Sequence, residues 1–282
     1  MQNLDKLKEL AEKLPKEVKD NALALVARMG ETIEGIGDTP IEWRPELLKV
    51  VQPSSDRSKL PKGSNIGSMI LGESIVGQPL EVIPFRLWKA RQYWSPDKDE
   101  TRMICWSPDA VMGKIGKQCK DCEFGKFNQE TNRSECNKVI SVISITADLS
   151  SIFTVNFAKT NYQSGMDWEK LMRKAGVKTT RKIYELRTET SKKYKNVESL
   201  IVDTQNKATP TTYMPFLDEL FERIGQDREE HKRRFYEIVR AGVSDNLLAS
   251  PRDAGGDDID VLPVQVAEST GTQAELAKKY SM

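Results

Sequence analysis

The sequence predicts an α+β fold, mainly β, held between helical ends. Three observations carry this. Apolar residues recur at helical spacing over residues 1–30 and 211–242; between 41 and about 210 they form short or alternating runs broken by Gly, Pro and Asn; and all four cysteines fall within Cys105–Cys136. At 282 residues with 38% apolar content, the chain can bury a core without crosslinks, so the cysteines need another explanation.

The elements follow in order. Leu4, Leu7, Leu10 and Leu14, then Val18, Ala22, Leu25, Val26 and Met29, describe an N-terminal packing or partner helix interrupted at Pro15. GETIEGIGDTP, 30–40, reads as a linker and sets a boundary near residue 40. Eight strands are expected in the domain 41–210: 47–52, 68–71, 80–94, 101–106, 138–147, 152–158, 181–190 and 197–203. One helix interrupts them. Ser164 with Asp167 suggests a capping box, Trp168, Leu171, Met172 and Ala175 an apolar face, and Gly176 a C-terminal cap. Strands, a capped helix, then further strands suggest an OB-like barrel, the small Greek-key barrel often used for oligonucleotides. C-terminal helices are expected at 211–245, and 246–282 reads as a flexible acidic tail: residues 251–270 carry five acids against one base, Arg252.

The cysteines are spaced C-x13-C-x2-C-x13-C through Cys105, Cys119, Cys122 and Cys136. A C-x2-C pair lets neighbouring thiolates grip one tetrahedral zinc, and the charged, Gly- and Asn-rich residues between could fold around a metal. Four thiolates leave no position for water, so the expected Zn2+ is structural, one per chain, in a segment inserted at 105–136. A thioredoxin-like reading of Cys119-Lys-Asp-Cys122 lacks the preceding buried strand.

Catalytic motifs are sparse. His231 is the one histidine and sits among charges, where it reads as a solvated helix residue. GKIGKQ fails as a phosphate loop because Val111 replaces its first glycine and Gln118 its hydroxyl residue. The chain therefore reads as a non-enzyme. It contains no run of 18 apolar residues, and its N-terminal stretch lacks the apolar centre of a secretory signal, so a cytoplasmic protein without membrane partners is expected.

Charge is balanced overall, 43 basic against 42 acidic residues, but 138–210 holds 13 basic against 7 acidic. PFRLWKARQYW, 84–94, interleaves Trp88, Tyr93 and Trp94 with Arg86, Lys89 and Arg91. A second set gathers Arg181, Lys182, Arg187, Lys192, Lys193 and Lys195 around Tyr184 and Tyr194. Aromatic faces stack bases while cations meet phosphates, which suits single-stranded nucleic acid. Alternation assigns Phe85 and Leu87 to the core and leaves at least one of the three other rings exposed.

A cysteine segment inserted in an OB-like domain, basic-aromatic strands and an acidic tail together resemble the single-stranded DNA-binding proteins of tailed bacteriophages, over roughly 41–270. The resemblance implies a protein that coats exposed strands during replication or recombination and uses its tail to reach replication partners and to compete for the groove. QAELAKKYSM departs from such tails in being basic. Three other readings remain open: a zinc-ribbon transcription or recombination factor binding polymerase or duplex DNA, a virion or assembly protein, and a nuclease with scattered carboxylates.

Overall fold

The computed structural model describes residues 4–30, 45–95, 102–129, 134–175, 178–191 and 197–241. It is α+β and mainly β, with nine strands in one mixed sheet and four α-helices among the described residues. The strands are β1 (Glu46–Val50), β2 (Met69–Leu71), β3 (Ser74–Val76), β4 (Leu80–Trp94), β5 (Met103–Ser107), β6 (Asn137–Thr146), β7 (Ile152–Ala158), β8 (Lys182–Thr190) and β9 (Glu198–Ala208). The helices are α1 (Asp5–Glu12), α2 (Lys16–Gly30), α3 (Tyr162–Ala175) and α4 (Met214–Ala241). The expected linker after Gly30 and the tail from 246 lie outside the described residues.

The sheet runs β3-β2-β1-β7-β6-β4-β8-β9, with β5 beside the far end of β4. β1 lies parallel to β7; the other ladders are antiparallel. Among the described residues these ladders form an open path rather than a closed barrel. Side chains span the gap. Gln52, just past β1, donates through Nε2 to the Glu198 carbonyl at 2.9 Å and accepts from the Glu198 N–H at 3.0 Å, so one amide joins β1 to β9. Nearby, the Gly67 carbonyl accepts from Gln78 Nε2 at 2.8 Å and from Thr188 Oγ1 at 2.7 Å.

The two faces of the sheet bury separate cores. On one, Val82, Ile140, Val142, Phe153, Val155, Phe157 and Leu186 meet α3. Trp168 of α3 is fully buried there, edge-on to Phe157 and Tyr184. Gly165 lets the helix come this close, since a Cβ would stand 2.7 Å from Phe157 Cβ. On the other face, Ile83, Phe85, Ile143, Ile145 and Ile152 meet α1, α2 and α4. Val18, Ala22, Leu25 and Met29 of α2 recur every three or four residues and are all buried, as a one-sided helix requires. Pro15, with no N–H to continue α1, instead accepts from Val18 and Lys19 and starts α2.

A bulge in β4 decides which residues reach which core. Pro84 pairs with Ser144 and Arg86 with Ile143, so Phe85 is an extra residue and the alternation changes phase there. Ile83 and Phe85 enter the α4-side core before it; Trp88 enters that core and Leu87 the opposite one after it. Phe85 and Leu87 therefore do not share the face that simple alternation assigns them.

Candidate functional site

The end of β4 brings the cysteines together. It pairs with β5 on one side, Tyr93 opposite Cys105, and with β6 on the other, Gln92 opposite Asn137 next to Cys136. The intervening segment folds back on itself: Cys119 N–H donates to the Val111 carbonyl at 2.8 Å and Cys136 N–H to the Phe124 carbonyl at 2.7 Å. All four cysteines are free thiols, and all line one cavity of about 20 Å³ together with Arg91, Tyr93, Lys117 and Phe124. That is room for one water-sized body. Tyr93 closes one wall by stacking on Phe124 with centroids 4.3 Å apart.

Burial pushes the Cys105 thiol up to about 11, and also raises Cys119 and Cys136. The neighbouring thiols add to this, while Arg91 acts the other way on Cys119 and Cys136. Arg91 also has a buried Nη1 without a hydrogen-bond partner. The thiols share a cavity but not a coordination geometry: among the described residues, no group of three or more His, Cys, Asp or Glu is set to hold a metal ion. The segment also exposes Val111, Phe127 and Ile115, the last of which borders the cavity as well.

The basic-aromatic residues have varied placements. Arg86 lies over the Phe221 ring at 4.3 Å, and Trp88 lies beneath Arg228 at 4.1 Å, both against α4. Lys89 is exposed, 3.3 Å from Glu169 of α3. Arg91 and Tyr93 face the thiols, and Trp94 is half-buried. Arg181 pairs with Asp218 at 3.0 Å, and Arg187 with Asp203 at 2.6 Å and with Glu189. Lys182 is half-buried at the start of β8, whereas Tyr184 is a core ring, 1% exposed. Lys192, Lys193, Tyr194 and Lys195 lie outside the described residues.

Sequence reasoning missed the part played by α4. Phe221, Gly225, Arg228, Lys232 and Phe235 recur at four- and three-residue intervals, so they form one stripe. That stripe covers β4 and β5. Arg228 donates to the Pro108 carbonyl at 3.2 Å, Tyr236 to Asp109 at 2.7 Å, and Lys232 lies 3.3 Å from Asp109. His231, expected to be solvated, is half-buried and stacks near Trp106 at 5.9 Å, beside Phe235. Mixed charge hid this stripe, although its spacing was readable.

No protein-family model, curated protein or solved structure matches the chain. Among the described residues, no helix is long and apolar enough to cross a membrane.

Proposed function

We propose that this chain is a non-catalytic binder of single-stranded DNA, acting in phage replication or recombination, built on an OB-like barrel with a structural zinc in its cysteine segment. The observation that carries the reading is strand order. β4, β6 and β7 form an antiparallel meander, α3 follows, and β8 returns to pair with β4 before β9. An OB-fold has this order, with its helix between the third and fourth strands; here β1 lies beside β7, and Gln52 spans from it to β9. In an OB-fold the loops after the first and fourth strands border the oligonucleotide groove. Their counterparts are the cysteine segment and the basic stretch between β8 and β9.

Binding would begin with long-range attraction between the basic surface and phosphates, followed by stacking of bases on exposed aromatic faces. The cysteine segment suits zinc by its donor set, four sulfurs around a space of about 20 Å³. Cys105, Cys119, Cys122 and Cys136 would hold the ion, which would contribute folding energy rather than chemistry. Arg91 would offset the excess negative charge of four thiolates. Cytoplasmic action in the host cell, and replication or recombination partners reached through the tail, belong to the same proposal.

Parallel titrations of poly-dT, duplex DNA and RNA at several salt concentrations test it. Poly-dT should bind tightest, with affinity falling steeply as salt rises. Equal or tighter duplex binding would instead favour a zinc-ribbon factor, a second reading supported by the exposed Val111, Ile115 and Phe127, which suit a protein contact.

A further inference from the structure

Where α4 crosses β4, positive charge is concentrated without the usual compensation. The Arg86 guanidinium fills a notch at Gly225, so close that a Cβ there would stand 2.1 Å from Nη2. Phe221, one turn before the notch, lies against that guanidinium, and Arg228, about one turn after it, lies over Trp88, which shares a face of β4 with Arg86. Two cationic side chains thus lie on two different rings, Arg86 on Phe221 and Arg228 on Trp88, each half-buried and near enough for their charges to interact. Among the described residues, neither has a carboxylate within ion-pair distance, and the buried Arg86 Nε has no hydrogen-bond partner. Arg223, two residues before Gly225 and so on another side of the same helix, has a second buried Nε of this kind but does not share the stripe. Burial lowers Arg228 to about 10; Glu229 and Asp109 oppose this through space, and the charge of Arg86 adds to it.

Partly desolvated guanidinium groups that repel one another are costly to hold, and elsewhere in this chain Arg181 and Arg187 satisfy the same group with carboxylates. A cluster left without them lacks an anion. Guanidinium forks match phosphate oxygens in pairs, and the ring under each group, Phe221 for Arg86 and Trp88 for Arg228, holds its orientation. The geometry points to a phosphate-binding site formed by Arg86, lying on Phe221, and Arg228, lying on Trp88. On the proposed function, from which this identification of the ligand follows, its occupant is a backbone phosphate of the single strand. Gly225 is then a specificity device, since its missing side chain is what lets Arg86 lie flat beneath the helix.

The site is tested apart from DNA by melting the full chain in inorganic phosphate against chloride of equal ionic strength. Wild type should show a saturable rise in melting temperature that Arg86→Met and Arg228→Met each lose, leaving only the general salt effect. Methionine keeps the aliphatic stem, so without phosphate Arg86→Met should melt no lower than wild type, while Arg228→Met also gives up its bond to the Pro108 carbonyl and is read only by its response to phosphate. If one variant fails to fold, the other gives the same readout. In oligo-dT titrations, each variant should reduce the slope of log affinity against log salt by about one. An equal phosphate response in all three proteins overturns the site, even if oligo-dT still binds with an unchanged slope and the single-strand reading survives. A phosphate response lost in both variants, in a chain that ignores oligo-dT, upholds the site and removes the single-strand reading.

Discussion

Cys122 is the least buried of the four cysteines, so replacing it disturbs packing least while removing one quarter of the proposed zinc ligands. Cys122→Ser should lower the zinc content of protein purified without chelator, from one per chain to well below it, and lower the melting temperature with it. Elemental analysis that finds no zinc in wild type ends the metal proposal. Arg91→Met should weaken zinc retention against a competing chelator but leave the four sulfurs in place, because its guanidinium favours the thiolate forms of Cys119 and Cys136. The two tryptophans separate differently. Trp88 packs against the helical core, so Trp88→Ala should cost folding energy, though less than the about 3 to 5 kcal/mol of a fully buried ring. Trp94, at the end of the strand, should cost little on folding and about 1 to 3 kcal/mol of oligo-dT affinity if it stacks a base. Melting and titration of the same variants check both. The gathering of the four cysteines around one cavity was legible because they lie within one short segment of the chain. Tyr184 was not, because a basic neighbourhood along the chain says nothing of where an alternating strand turns its rings.

Between elements, Glu169 ties α3 to the central strand. It accepts from Arg173 at 2.7 Å within its helix, and its other oxygen lies 3.3 Å from Lys89 of β4. The Arg173 hydrogen bond is the main reason its carboxyl titrates below the ordinary 4.5; burial opposes, and Lys89 adds to the lowering. A carboxyl lowered on folding stabilises the fold fully above the ordinary value and loses that contribution as pH falls through its folded value. Glu169→Gln should therefore reduce stability at neutral pH by up to about 1 kcal/mol, since both partner cations are well exposed, and the difference from wild type should vanish in acid. Denaturant melts at pH 7 and pH 3 measure this. The strands at 80–94 and 152–158 were readable because their apolar runs have no competing helical period, whereas β9 runs to Ala208, past the expected end at 203, through polar residues that carry no apolar signal. β3, three residues with two of them exposed, carries no such pattern. The cap at Ser164 also fails: α3 already begins at Tyr162 out of a short 3-10 turn, Lys159–Asn161, so Ser164 is inside the first turn.

For the molecule as a whole, α4 links regions that the sequence keeps apart. Near its start, Glu219 meets Lys6 of α1 at 2.5 Å and Asp218 meets Arg181; near its end, Tyr236 and Lys232 hold Asp109 of the cysteine segment. Tyr236→Phe removes the hydrogen bond to Asp109 without changing ring packing, so it should lower stability by about 1 kcal/mol and loosen the cysteine segment before the sheet. Limited proteolysis should then cut within 108–129 earlier than in wild type. The long strands were accessible from runs and turns, but their order in the sheet and the side-chain contact between its ends were not. Gln52 and Gln78 look like ordinary loop amides in the sequence, and only three-dimensional curvature brings Gln52 opposite Glu198.

A side-chain amide gives that junction an energetic character unlike the rest of the sheet. Unpeeling a ladder breaks one bond after another, whereas turning a single glutamine releases both of its bonds at once. β1 holds β7 through a short stretch, Glu46 opposite Phe153 and Leu47 opposite Thr154, while β4 and β6 are joined from Val82 opposite Thr146 to Gln92 opposite Asn137. The β1–β3 unit should thus open as a cooperative piece of its own while the remainder stays folded. In native-state hydrogen exchange, the amide of Glu198 and those of β1 should share an opening free energy well below that of Val142, and Gln52→Ala should lower the former without moving the latter. A common value for all of them would mean that the amide junction is as firm as backbone pairing. On the proposed function, such an edge would let a strand enter from the flank, by swinging the β1–β3 unit aside, rather than by threading an end.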